Sequence, residues 1–242
     1  DSKPGQTKYR IDDGVFPPDF PNNQNVEVFM LRRVNTMDFL PDAVVFPGGR
    51  VDERDSNPDL PWCGPSPKDW AELLGVSEDD ARRIVVAAAR EVFEECGVLL
   101  AGPDATSTVT DLSDPSWDAN REALVAHEIA FADLLVERNL ILRTDLLGLV
   151  ANFCTPTFEP KRYDTFFFSA LMPKASTPTI TPLKRRLAGL GHPVLCGSRG
   201  HENRWLIVAP TLFNLTRIAE APSAEEFVSN RRKVKKIMFK PL

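Results

Sequence analysis

Between Ser77 and Gly97 this chain has room for one structure only. Ser77 is a natural N-cap with Asp80 three residues on, Gly97 is a natural stop, and no proline or glycine interrupts the residues between them. The spacing predicts a helix over 78–95 with Ile84, Val85, Ala88, Val92 and Cys96 as its apolar stripe. In a chain with 21 prolines, which is loop-rich elsewhere, this helix is the element around which a core must assemble. It also carries a cost. Glu91, Glu94 and Glu95 share one face just before its C-terminus. Like charges there cost about 0.2–0.5 kcal/mol per pair, and the macrodipole already disfavours them.

A hard divalent cation removes that cost. Carboxylates at i, i+3 and i+4 supply oxygen ligands of the kind Mg²⁺ or Mn²⁺ takes, with positions left for water and phosphate oxygens. Such an ion stabilises charge on a phosphoryl oxygen and acidifies an attacking water. Upstream, "AVVFPGG" (43–49) reads as a buried strand that ends in a sharp Pro-Gly-Gly turn.

These residues bring the chain close to a known family. "REVFEECGV" (90–98) is similar to the second half of the Nudix box, G-x5-E-x7-R-E-U-x-E-E-x-G-U with U apolar, and "FPGG" (46–49) resembles its opening, with Gly48 in the turn and Gly49 as the first glycine. The resemblance implies a Nudix-type α/β/α sandwich with a mixed central sheet, a box insertion and C-terminal helices. It implies that Glu91, Glu94 and Glu95 bind Mg²⁺ or Mn²⁺, and that Arg90 orients a catalytic glutamate, with Glu94 one turn away. The substrate would be a nucleoside diphosphate linked to another group. A further carboxylate often comes from a loop outside the box; Glu159, in the turn "TPTFEPKR", is the first candidate and Glu128 the second.

The box is split. Forty residues, rather than thirteen, separate Gly49 from Arg90, and the position eight before Arg90 is Arg82 instead of glutamate. Asp52, Asp55, Asp79 and Asp80 are the acids that could replace it. The insertion, taken as 50–80, contains Trp62 and Trp70 and should order as a flap beside the cleft or against a partner subunit of a homodimer, shaping substrate choice more than chemistry. An insertion at this place resembles the branch of peroxisomal coenzyme A diphosphatases and their actinobacterial relatives. Aligned on "FPGG", Arg33 falls on the first arginine of a coenzyme A signature, whereas Val34, Asp38 and Asp42 depart from it. Arg50, Lys161 and Arg162 could add cationic contacts. Coenzyme A or an acyl derivative is thus one substrate reading. ADP-ribose or NADH is the alternative, and a nucleotide-sensing module that has lost catalysis is the rival class.

Along the rest of the chain, residues 1–25 form a polar arm, 26–33 a strand, and 117–138 a helical pattern. "LGLVANFCTP" and "YDTFFFSALM" follow as strands, and 205–242 is a C-terminal helical region in which Ser223 caps a helix through "RRKVKK". Residues 174–204 show little periodicity and supply no site residue. No linker splits the chain, so 1–242 is read as a single domain. The net charge of −5 argues against nucleic acid as a partner, and no apolar run approaches the ~20 residues of a membrane span. The four scattered cysteines form no CxxC pair, and with a polar opening segment they point to a reduced, cytoplasmic setting.

Overall fold

The computed structural model describes residues 26–33, 43–155, 157, 162–173, 185–191, 206–231 and 233–238. The chain divides into two compact units, residues 1–46 with 184–224 and residues 47–183 with 225–242.

The first unit is built on a four-stranded sheet. β1 (Val28–Arg33) lies between β2 (Ala43–Val45) and β8 (Arg185–Gly191), antiparallel to both, and β9 (Leu206–Ile207) runs parallel to β2. Met30, Val44, Ile207 and Leu215 form its buried core, with Val28, Phe46 and Leu212 packed against them. Leu212 and Leu215 belong to α5 (Ala209–Ala219), which begins with proline at its first turn, where the missing N–H is harmless. β8 corrects the view of 174–204 as patternless. Its glycines and arginines give no period-two signal, yet pairing with β1 makes it a strand.

The second unit holds two three-stranded sheets. One joins β3 (Trp62–Cys63), β5 (Ile141–Arg143) and β4 (Ala101–Gly102) in the order β3-β5-β4. The other joins β10 (Lys236–Ile237), β6 (Leu147–Cys154) and β7 (Asp164–Ala170) in the order β10-β6-β7. Around them lie α1 (Pro67–Leu74), α2 (Glu78–Cys96), α3 (Pro115–Val125), α4 (Phe131–Glu137) and α6 (Ala224–Ser229). Val150, Ala151 and Phe153 form a core with Phe167, Phe227 and Ile237. No described helix is long and apolar enough to cross a membrane.

The mixed α/β class with mixed sheets is as expected, but two local expectations are not met. Among the described residues, the strands at 28–33 and 43–45 pair in the sheet of the first unit and those at 147–154 and 164–170 in a sheet of the second. The 117–138 pattern breaks into α3 and α4, because His127 takes a positive φ of 61° that a helix cannot pass through. The last helix stops at Ser229 rather than running through "RRKVKK". Arg231 there donates to the main-chain oxygens of Leu147, at 2.8 Å, and Asp145, and Lys236–Ile237 then pair in parallel with Asn152 and Phe153. Tertiary pairing overrides the local helical preference.

Candidate active site

Helix α2 positions the site, and local chemistry fixes both its ends. The Ser77 hydroxyl accepts the Asp80 N–H at 3.1 Å and donates to the Asp80 carboxylate at 2.8 Å. At the other end Gly97 takes φ +65°, a left-handed conformation suited to glycine, and its N–H closes on the Phe93 carbonyl at 2.9 Å. The apolar stripe needs correction. Val85 and Cys96 are buried, but Ile84, Ala88 and Val92 are only half-buried, while Val86, Ala87, Ala89 and Phe93 are buried. A single stripe fails because the helix is covered on several sides. α1 packs along it, and the Phe93 ring meets Trp117 of α3 at 6.0 Å and Phe131 of α4 at 6.1 Å.

The acidic face is not a bare solvated surface either. Arg90 and Glu94 are 7% and 6% exposed. Arg90 Nη1 donates to Glu91 Oε1 at 2.9 Å and to Glu94 Oε1 at 3.0 Å, so one cation sits between two of the three glutamates. Its Nε and Nη2 form a two-pronged bridge to Asp55, at 2.9 and 3.1 Å, and Nη2 also donates to the Arg50 carbonyl at 2.8 Å. Burial works against the charge on Arg90, but the bonds to Asp55 and the attraction of Asp55 and Glu91 outweigh it and push the guanidinium pKa well above its usual value. Much of the repulsion expected within the glutamate cluster is therefore offset inside the protein.

The Pro-Gly-Gly turn closes the other side. The Gly48 N–H donates to Glu95 Oε2 at 2.8 Å. A Cβ on Gly49 would run into the Glu91 carboxylate. A side chain at this position would require the Glu91 carboxylate to move.

Of the four acids that could fill the missing box position, Asp55 is the one against Arg90. Asp79 and Asp80 are exposed in the first turn of α2, with Asp80 bound to Arg83 at 2.8 Å, and Asp52 engages Arg54. Arg82, which holds the glutamate's place when residues are counted back from Arg90, lies 5.6 Å from the centre of the Trp62 ring. The signal for Asp55 was there in the other direction, since it is the sixth residue after Gly49. The extra residues therefore follow Asp55, and the bounds 50–80 begin too early. The insertion is ordered, as expected, by a 3-10 turn (Glu53–Ser56), β3 and α1. Trp70 is fully buried, edge-on to Phe168 at 5.9 Å, while Trp62 stays half-buried. Asp55, just ahead of these extra residues, is held against Arg90 by two bonds.

The remaining candidates are scattered. Arg33 ends β1, in the other unit, opposite Arg185. Arg50 is exposed and meets the cluster through its carbonyl. Arg162 is exposed and donates to the Thr155 carbonyl at 3.2 Å and towards Cys154 Sγ at 3.3 Å. Glu159 and Lys161 lie outside the described residues, and Glu128 is exposed between α3 and α4. Three carboxylates of one helix, two of them against one glycine turn, are the right donor chemistry for a hard divalent ion. Among the described residues, no three His, Cys, Asp or Glu side chains are gathered as a ready metal cluster. Glu91 and Glu94 each turn one carboxylate oxygen, Oε1, to Arg90.

No family model matches the chain. It is 27% identical over 202 residues to a Caenorhabditis elegans protein described as nudix hydrolase 7, a match covering 80% of this chain and 56% of that one. It is 26% identical over 196 residues to the acyl-coenzyme A diphosphatase NUDT19 of Xenopus laevis, covering 62% of this chain and 49% of that one. The chain thus spans about half the length of these curated relatives. A crystal structure of a Nudix hydrolase from Alicyclobacillus acidocaldarius superposes with a TM-score of 0.72 at 26% identity, over 87% of this chain and 91% of that one.

Proposed function

The chain belongs to the Nudix family, and from that premise we propose that it is a hydrolase cutting the phosphoric anhydride of a nucleoside diphosphate linked to a second group. The observation that carries the reading is the buried Arg90, which gathers Asp55, Glu91 and Glu94 beside the glycine turn. Nudix hydrolases generally use divalent metal ions. Glu91, Glu94 and Glu95 would hold such an ion here, Mg²⁺ or Mn²⁺, which when bound supplies charge stabilisation at the phosphoryl oxygens and a more acidic water. Glu94 accepts the proton of the attacking water. Arg90 orients Glu94, and Asp55 fixes Arg90, taking the part of the box acid. Glu159 is a further candidate carboxylate, with Arg33, Arg50, Lys161 and Arg162 as candidate substrate contacts. Residues 1–242 act as one catalytic domain in a cytoplasmic enzyme.

For the substrate we favour coenzyme A or an acyl derivative. The insertion within the box and the likeness to the Xenopus acyl-coenzyme A diphosphatase support it. Asp38, in place of an arginine that would meet an extra phosphate, favours instead ADP-ribose or NADH. The test is a panel of coenzyme A, acetyl-coenzyme A, ADP-ribose and NADH, incubated with Mg²⁺ or Mn²⁺ and resolved chromatographically. Metal-dependent release of two phosphate esters from one class identifies it. Intact substrates throughout the panel would overturn the hydrolase reading.

A further inference from the structure

Helix α2 carries three glutamates towards its C-terminus and no basic residue in its last turn. The negative end of its dipole therefore adds to the repulsion among its own carboxylates. Gly97 takes up the Phe93 carbonyl, and the next one, that of Glu94, accepts a hydrogen bond from Arg121 Nη2 at 3.1 Å. Arg121 comes from α3 and is 7% exposed. Asp118, its acidic neighbour on the same helix, is 3.7 Å away with a side chain 77% exposed. α3 itself is held by Trp117, whose ring faces Phe93 edge-on at 6.0 Å and carries the Arg138 guanidinium 3.8 Å from its centre. Two buried arginines thus grip Glu94, Arg90 by its carboxylate and Arg121 by its main chain.

We propose that Arg121 is a positioning residue for the divalent-cation site, holding the last turn of α2 and supplying from α3 the positive charge which that turn lacks. It acts through the Glu94 main chain and touches neither substrate nor ion. The inference rests on the reading of Glu91, Glu94 and Glu95 as the ion's ligands. Its logic is that of outer-shell partners generally, which fix the backbone and rotamer of a ligand before the ion arrives.

The test measures Mn²⁺ binding calorimetrically on the full chain without substrate, alongside kcat and KM, in Arg121→Met, Arg121→Gln and Arg121→Lys, with Glu95→Gln as a control. The Met variant should bind Mn²⁺ about tenfold more weakly and lose kcat by a similar factor, with KM little changed. Lys, which keeps a donor and the charge, should recover most of both. Should the Met variant fail to fold, Gln and Lys carry the same comparison. A residue that only props up the fold would lower the melting temperature and leave Mn²⁺ binding as it was. Unchanged Mn²⁺ binding in folded Met or Gln variants, with Glu95→Gln weakened, overturns the role of Arg121 alone. Unchanged binding in Glu95→Gln overturns the ligand reading, and this role with it.

Discussion

Two aspartates three residues apart, Asp52 and Asp55, each pair with an arginine, and the two pairs do different work. Asp52 and Arg54 are neighbours in sequence, bonded at 2.7 and 3.0 Å, with side chains 27% and 34% exposed. Asp55 and Arg90 are 35 residues apart, bonded at 2.9 and 3.1 Å, with side chains 1% and 8% exposed. The first pair shapes one tight turn, where Asp52 also accepts the Arg54 N–H at 3.0 Å. The second joins the residue six after Gly49 to the guanidinium that also bonds Glu91 and Glu94. Geometry is nearly the same in both. Burial and sequence separation decide what each is worth.

Removing one partner of the buried pair should have the largest effect. Asp55→Ala leaves a buried guanidinium without its two-pronged acceptor and should cost about 3–5 kcal/mol in urea unfolding, together with nearly all hydrolysis. Asp52→Ala should cost about 1 kcal/mol or less. Equal losses in the two variants would erase the distinction.

The glutamates should separate in the same way. Glu94→Gln and Glu95→Gln should each lower turnover by about a hundredfold or more. Only Glu94→Gln should also lower stability, by about 1–3 kcal/mol, because it removes a negative charge bonded to the buried Arg90 and leaves a weaker, neutral acceptor. In Glu95→Gln the amide oxygen can still accept the Gly48 N–H, so melting should stay near wild type.

Gly49→Ala sharpens the comparison from the turn. The new methyl displaces the flexible Glu91 carboxylate rather than backbone, so thermal melting should move little while metal-dependent activity falls about tenfold. A large loss of stability with activity retained would mean that the turn serves the fold alone.

The smallest effect is acidic. The side-chain and main-chain bonds from Arg54 hold the Asp52 pKa below the ordinary carboxylate range. A depressed folded value means that its stabilisation is present above about pH 4 and is lost as pH falls further. Asp52→Asn should therefore flatten slightly the acid limb of a melting-temperature profile. An unchanged limb would place the acid sensitivity elsewhere.

What was legible in the sequence was local. Ser77 and Gly97 bracket α2 because caps act over one turn, and Arg90, Glu91, Glu94 and Glu95 declare themselves by spacing within one helix. Asp55 stayed one of four because an insertion makes the count from Arg90 and the count from Gly49 disagree. Only a contact across 35 residues chooses between them. The same limit hid Arg121, whose target is a main-chain oxygen 27 residues away. "RRKVKK" reads as helix in isolation, yet Lys236 and Ile237 pair with β6. The buried face of α2 departs from a single stripe because period alone cannot foresee a helix covered on several sides.

Asp55, and not the vacated place at Arg82, lies against the guanidinium of Arg90. The most direct measurement compares metal-dependent hydrolysis by wild type, Asp55→Asn, and the double variant Asp55→Asn/Arg82→Glu. Turnover should fall in Asp55→Asn and stay as low when glutamate is restored at position 82, because Arg82 lies against Trp62 while Asp55 holds Arg90. Recovery of activity in the double variant would contradict it.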